Sequence, residues 1–182
     1  HFKQDIDALI NVASGDDVVR FVPAELFATR ARAVFPPDVF DANLSRYHAP
    51  ELASNRESYR KLIRDLTSEL YLTFPFDVLV LPSDTFFYIR DVIDIVREMG
   101  ISTVVVQKES GVSAKSLEHH AGEMRRWFPF IRDVMTVCSE KTNDFWVGCG
   151  ARQEQVLVLG QTRFDIYSSG ADAADLTAFC VE

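Results

Sequence analysis

The stretch that decides the fold covers residues 77–107 and reads DVLVLPSDTFFYIRDVIDIVREMGISTVVVQ. It contains two short apolar runs, 77–81 and 102–106. Such runs, without polar alternation, are typical of strands buried in a parallel sheet. Between them, apolar residues recur at helical spacing over Phe86–Met99, and Gly100 stands where a helix commonly ends. Strand, helix and strand in this order predict a βαβ unit with parallel strands.

The same alternation continues on both sides of this unit. Further apolar runs predict strands, and amphipathic stretches between them predict helices. We therefore predict an α/β fold, a Rossmann-like parallel sheet flanked by helices. The additional strands are expected at Val18–Val22, Val134–Cys138 and Val156–Leu159, and the additional helices at Asn55–Tyr71, Leu117–Phe128 and Asn143–Gly150.

Residues 24–54 interrupt this alternation. They carry several aromatic residues among the prolines Pro36, Pro37 and Pro50, and their apolar positions follow no clean period. We predict an irregular connection with one short helix at Ala24–Val34, which packs its aromatic side chains onto the edge of the domain. A loop that faces a ligand is the alternative that stays open.

Length and charge limit the class of protein. The 182 residues suit one domain, and 27 acidic against 19 basic residues give a formal charge of −8. This balance argues against a nucleic-acid partner bound through bulk charge. Cys138, Cys149 and Cys180 show neither metal-ligand nor disulfide-scaffold spacing, which favours reduced thiols in a cytoplasmic protein. No apolar run is long enough for a membrane span, although peripheral contact at the inner face of the membrane stays open.

Candidate functional residues follow the predicted strands, because ligands of open parallel sheets bind outside the carboxyl ends of the strands. The carboxylates of Asp84 and Glu109 are candidates for a general base. Structural alternatives stay open: Ser and Asp residues at these positions also cap helices, and Lys108 and Glu109 also suit a surface ion pair. The sequence indicates neither a metal site nor a cofactor loop. The candidate substrate contacts are Ser83, Gln107, Lys108, Ser139, Glu140 and Arg163.

The last part of the chain resembles a known family. Residues 137–140 read VCSE, a short helix then leads to Gly148 and Gly150, and residues 156–165 read VLVLGQTRFD. This pattern is similar to the end of the first domain in GT-B glycosyltransferases, especially bacterial capsule and surface-polysaccharide enzymes and CDP-glycerol glycerophosphotransferases. UDP-N-acetylglucosamine 2-epimerases share the same frame. The resemblance covers about residues 77–167.

The resemblance implies a function and a domain plan. Residues 1–167 would form the Rossmann-like, acceptor-side domain, and residues 168–182 would begin the interdomain linker or helix. Such a domain binds an acceptor saccharide or lipid-linked saccharide, whereas the nucleotide sugar is held by a C-terminal domain that this sequence does not contain. Transferase activity therefore depends on that second domain. The sequence departs from the glycerophosphotransferase pattern at Gln107–Glu109, where a histidine is expected.

A second hypothesis comes from another class of protein. The same α/β pattern suits a non-catalytic, flavodoxin-like domain that binds a ligand or a partner. The acidic pocket of receiver domains is not assembled, because the Val18–Val22 run ends in Pro23, Ala24 and Glu25 and the Ser102–Val106 run ends in Gln107. Phosphate-loop and dinucleotide-binding motifs are absent from the sequence. A further α/β segment of about 150–200 residues after this sequence in the parent protein would favour the transferase, and an end near Glu182 the lone module. The site assignment depends on whether Asp84, Glu109, Ser139 and Arg163 converge on one cleft at the carboxyl edge of the sheet.

Overall fold

The computed structural model describes residue 10 and residues 18–107, 117–127 and 129–160. Helices dominate the first part of this range, and strands alternate with helices in the second. The helices are α1 (Glu25–Val34), α2 (Asp38–Ala42), α3 (Leu44–Tyr47), α4 (Ala53–Thr73), α5 (Phe87–Glu98), α6 (Leu117–Trp127) and α7 (Glu140–Gly148), and the strands are β1 (Val78–Leu81), β2 (Ser102–Val106), β3 (Val134–Val137) and β4 (Val156–Val158). Short 3₁₀ turns cover Pro50–Leu52 and Gln153–Gln155.

The four strands form one parallel sheet in the order β1-β2-β3-β4. Helices connect β1 to β2, β2 to β3 and β3 to β4, so the predicted α/β fold with a Rossmann-like parallel sheet is confirmed. The deciding unit forms as the sequence indicates. Its helix ends because Gly100 has a φ of 80°, and the Ile101 N–H then bonds the Val96 carbonyl at 3.1 Å.

The two faces of the sheet differ in burial. One face carries a row of paired residues, Leu81, Val105, Met135 and Val156, that are between 0% and 7% exposed. On the opposite face Val78, Val80 and Leu157 are between 41% and 46% exposed. Because parallel crossovers are right-handed, strands added in one direction bring all their helices to the same face. Within the described part of the chain, the helices therefore cover only one face.

The predicted strand at Val18–Val22 is wrong. These residues lie outside helices and strands, and the four apolar ones are 38% to 64% exposed. A strand requires a hydrogen-bonded neighbour, and none of the described strands pairs with this segment. The guanidinium of Arg20 instead lies 5.2 Å from the ring centre of Phe74, just before β1.

The connection at residues 24–54 packs its aromatic residues inward, as predicted, but it is more regular than expected. It forms α1, α2, α3 and one 3₁₀ turn instead of a single short helix. Phe35 is buried against the rings of Tyr47, Tyr59 and Phe87 at centroid distances of 5.3 to 5.5 Å. Aromatic contacts of this kind stabilise the fold by more than the burial of their apolar area alone, so this cluster fixes α1 and α3 on α4 and α5.

Of the helices in the described ranges, none combines the length and the hydropathy that crossing a bilayer requires. The longest, α4, is 21 residues long and buries Tyr59, Ile63 and Thr67 on one side. Charged residues occupy its exposed side, among them Lys61, Arg64 and Asp65. It is an amphipathic helix whose apolar stripe packs on α1 and α5.

Valine truncations on the two sheet faces test this asymmetry. We expect Val105→Ala to lower the free energy of unfolding by about 2 kcal/mol, since two buried methyl groups are lost and a cavity remains. Val80→Ala should cost less than about 1 kcal/mol because that side chain is already half in solvent. Urea unfolding measures both. Equal losses would mean that both faces of the sheet are buried in solution.

Candidate functional site

The parallel sheet brings several predicted site residues to one edge. Ser83 follows β1, Gln107 follows β2, and Ser139 and Glu140 follow β3, so all four lie at the carboxyl ends of neighbouring strands. The remaining candidates Lys108, Glu109 and Arg163 lie outside the described residues.

The two serine hydroxyls at this edge already have local partners. Ser139 Oγ accepts the Thr142 N–H at 3.3 Å and lies 2.9 Å from Thr142 Oγ1, so it caps the N-terminus of α7. Ser83 Oγ accepts the Thr85 N–H at 3.2 Å and closes a short turn. The capping role weighed for Ser139 is confirmed, and α7 accordingly begins at Glu140, earlier than the predicted start at Asn143.

Gln107 carries a buried side-chain oxygen that has no partner among the described residues. Its backbone N–H donates to the Thr136 carbonyl at 3.1 Å, which continues the ladder between β2 and β3. Its amide oxygen Oε1 is buried and has no hydrogen-bond partner among the described residues. A buried acceptor without a partner costs free energy, so this oxygen is suited to take a hydrogen bond from a ligand. Glu140 is exposed in the first turn of α7.

Asp84 is placed differently from what its position in the sequence indicates. It is 1% exposed, and its carboxylate forms ion pairs with Arg132 and, at 3.6 Å, with Arg90. Both arginines are themselves buried. We call these three residues the buried charge cluster. A carboxylate held in this way is shielded from an acceptor hydroxyl, so the cluster gives Asp84 a structural role.

The two arginines of the buried charge cluster reach it from different parts of the chain. Arg90 belongs to α5 and donates to the carbonyls of Asp84, at 3.3 Å, and Pro129, at 2.5 Å. The guanidinium of Arg132 lies 4.0 Å from the ring centre of Phe130 and 4.5 Å from that of Trp146. Burial lowers the pKa of Arg90 to about 10 and that of Arg132 to about 9. Both remain cations at neutral pH, balanced within the cluster by one carboxylate.

Asn43 anchors the loop between β1 and α5 from outside. Its side-chain NH₂ donates to the Thr85 carbonyl at 2.7 Å, and its Oδ1 accepts the Phe87 N–H at 3.1 Å. The capping group of α5 therefore comes from residue 43, and neither Ser83 nor Asp84 supplies it. Asn43 itself has a φ of 52°, a conformation that asparagine tolerates better than most side chains.

Three of the residues that organise this edge were not predicted from the sequence: Asn43, Arg90 and Arg132. Arg90 lies on the apolar face of α5, between Ile89 and Val92, and a charged residue on such a face is a signal for a buried partner. Asn43 and Arg132 carry no such signal, because their partners are 44 and 48 positions away in the sequence.

Neither a metal site nor a known relative emerges. Across the described ranges, no group of three or more His, Cys, Asp or Glu side chains could hold a metal ion. Comparison of the chain with protein-family models, curated proteins and solved structures found no match. The interpretation of this edge therefore depends on its own geometry and on the sequence pattern.

Replacing Asn43 tests how the edge loop is held. We expect Asn43→Ala to lower the free energy of unfolding by about 1 to 2 kcal/mol, because the Phe87 N–H and the Thr85 carbonyl both lose their partner. Asn43→Asp keeps the acceptor at the start of α5, where negative charge is favourable, and should lose less. Chemical denaturation of both variants measures the difference. Wild-type stability for Asn43→Ala would contradict this role.

Proposed function

We propose that the chain is the acceptor-side domain of a nucleotide-sugar-dependent glycosyltransferase of bacterial surface polysaccharide synthesis. The observation that carries the proposal is the carboxyl edge of the sheet, where Gln107 lies between the loops of Ser83 and Ser139. Its buried amide oxygen has no hydrogen-bond partner among the described residues. Ligands of open α/β sheets bind at such edges. The order of strands and loops also follows the pattern on which the resemblance to GT-B enzymes depends.

In this proposal the general base is Glu109. Of the two candidate carboxylates, Asp84 is committed to Arg90 and Arg132, so it is not available to accept a proton. Glu109 would take the proton of the acceptor hydroxyl while the hydroxyl oxygen bonds the anomeric carbon of the sugar. The bond between that carbon and the phosphate oxygen breaks, and the nucleotide leaves with the bonding electrons. The donor would be held by a second domain.

The remaining candidates act by contact in the proposed site. The amide of Gln107 both donates and accepts hydrogen bonds, which suits a sugar hydroxyl. Glu140 is exposed beside it and offers a further acceptor. Lys108 and Arg163 are proposed as donors to the acceptor saccharide or to a phosphate on it, on the pattern of the sequence alone. Contact with a membrane-linked acceptor belongs to the same proposal.

A second candidate function has its own supporting observation. The side chains of Ser83, Asp84 and Ser139 are all occupied by bonds within the protein. An edge whose polar groups are satisfied internally suits a flavodoxin-like binding domain without chemistry of its own. The two functions differ in whether free saccharides reach Gln107.

The NMR signals of the side-chain amides of Gln107 and Gln155, which lie at opposite ends of the strands, provide a test. We expect a panel of glucose, galactose, N-acetylglucosamine and lactose to include at least one sugar that shifts the Gln107 NH₂ signals saturably. Gln155 is the internal control, because its amide donates to the carbonyls of Arg132 and Asp133 at 3.3 Å, before β3. Its signals should not move. Gln107→Ala should abolish binding without a change in thermal stability.

Titration with nucleotide-activated donors is the second part of this experiment. UDP-N-acetylglucosamine and CDP-glycerol should leave the Gln107 signals unchanged, since the proposal places the donor on another domain. Saturable binding of either compound at Gln107 would contradict the acceptor-side assignment. Failure of every saccharide in the panel to shift these signals would contradict it as well, and would favour the binding domain.

A further inference from the structure

A cleft on the helical side of the molecule is separate from the carboxyl edge. It has a volume of about 390 Å³ and lies between the end of α3, the helices α4 and α5, and residues 129–131. This volume falls at the small end of the range of ligand sites, about 300 to 1,000 Å³. Its charged and titratable lining groups are His48, Arg56, Glu57, Arg60, Arg90, Asp91 and Asp94.

One end of the cleft holds Arg56 and Arg90, and neither has a carboxylate to itself. Arg56 donates through one nitrogen to the carbonyls of Tyr47, at 2.7 Å, and Ala49, at 2.8 Å, and forms no ion pair with the described residues. Arg90 donates to two carbonyls and shares the carboxylate of Asp84 with Arg132. Backbone carbonyls orient a guanidinium group but do not neutralise it. The charge of Arg90 is offset by the Asp84 carboxylate, which it shares, and by the more distant charges of Asp94 and Asp91.

His48 joins the two arginines at the same end. Burial lowers its pKa, and the nearby positive charges of Arg56 and Arg90 lower it further. The imidazole is therefore neutral at pH 7 and can donate one hydrogen bond. Its pKa is expected to rise again when a negative charge binds between the two guanidinium groups.

Two carboxylates of the cleft pair with Arg60. Asp91 accepts the Tyr47 hydroxyl at 2.6 Å and the Arg60 guanidinium at 3.3 Å, and Asp94 lies 3.7 Å from Arg60. Glu57 is exposed on α4. The charges of Asp91 and Asp94 also act on Arg90, so Arg56 is the lining arginine that has no ion pair among the described residues.

We propose that the cleft binds the phosphoryl group of a small phosphorylated ligand between Arg56 and Arg90, with His48 as a third donor. Guanidinium groups match phosphate oxygens with paired N–H donors, and a bound dianion supplies Arg56 with a charged partner and Arg90 with a second one. The cleft volume leaves room for the organic part of a phosphate monoester. This inference does not depend on the proposed transferase function, because none of its residues is a proposed saccharide contact or general base, although Arg90 also pairs with Asp84 at the carboxyl edge.

Titration with phosphate, followed by NMR of the His48 ring and the Arg56 Nε–H, tests the proposal. We expect saturable shifts with inorganic phosphate and with glucose 1-phosphate, and a higher pKa of His48 in the bound protein. Arg56→Gln should weaken binding about tenfold or more, since a charge-assisted hydrogen bond is lost. Thermal unfolding confirms that the variant is folded.

Arg64→Gln is the matched control, because Arg64 lies on the same helix, pairs with Glu98 at 2.6 Å and does not line the cleft. Its affinity should stay within about twofold of wild type. Equal affinity for both probes assigns the site to inorganic phosphate, and tighter binding of the ester assigns it to a phosphorylated sugar. Shifts that do not saturate, or equal weakening by both substitutions, would overturn the proposal.

Discussion

The carboxylate of Asp84 lies at the carboxyl end of β1, buried between the guanidinium groups of Arg90 and Arg132. Each of the three residues belongs to a different part of the fold: a strand-end loop, the helix α5 and the segment before β3. A buried pair of this kind adds little net stability over an apolar replacement, but the loss of one partner leaves a charge in the interior. The cluster therefore fixes how these parts meet.

Two features of the site depend on this cluster. Because Asp84 is paired within the cluster, it is not available as a general base, and the proposed chemistry depends on Glu109. The cluster itself holds two cations and one anion, and its Arg90 lines the cleft in which Arg56 has no ion pair among the described residues. The buried charge cluster thus makes Asp84 unavailable as a base, and it places Arg90 in the cleft on the helical side of the sheet, where we propose that an anion binds.

The sequence predicted the parts of the fold that depend on local pattern. The helix over Phe87–Glu98 and the strands on either side formed close to their predicted limits, because apolar spacing and Gly100 specify them locally. The strand at Val18–Val22 failed because strand formation also needs a neighbour, which composition cannot supply. Its apolar residues lie exposed, and the guanidinium of Arg20 lies over the ring of Phe74.

The candidate site was less predictable than the fold. Topology correctly brought Ser83, Gln107 and Ser139 to one edge, because parallel strands must end together. The role of each side chain at this edge could not be predicted from the order of the strands. Asp84 meets a partner 48 positions away, and the difference between an available and a buried carboxylate depends on that contact.

Unfolding of Asp84→Asn in urea tests the central claim most directly. Asparagine preserves the shape of the side chain but leaves the buried cations Arg90 and Arg132 without an anion. We expect the free energy of unfolding to fall by about 3 to 5 kcal/mol, whereas Asp94→Asn, at a half-exposed pair, should cost less than about 1 kcal/mol. Equal and small losses for the two variants would show that the buried charge cluster does not hold the fold together.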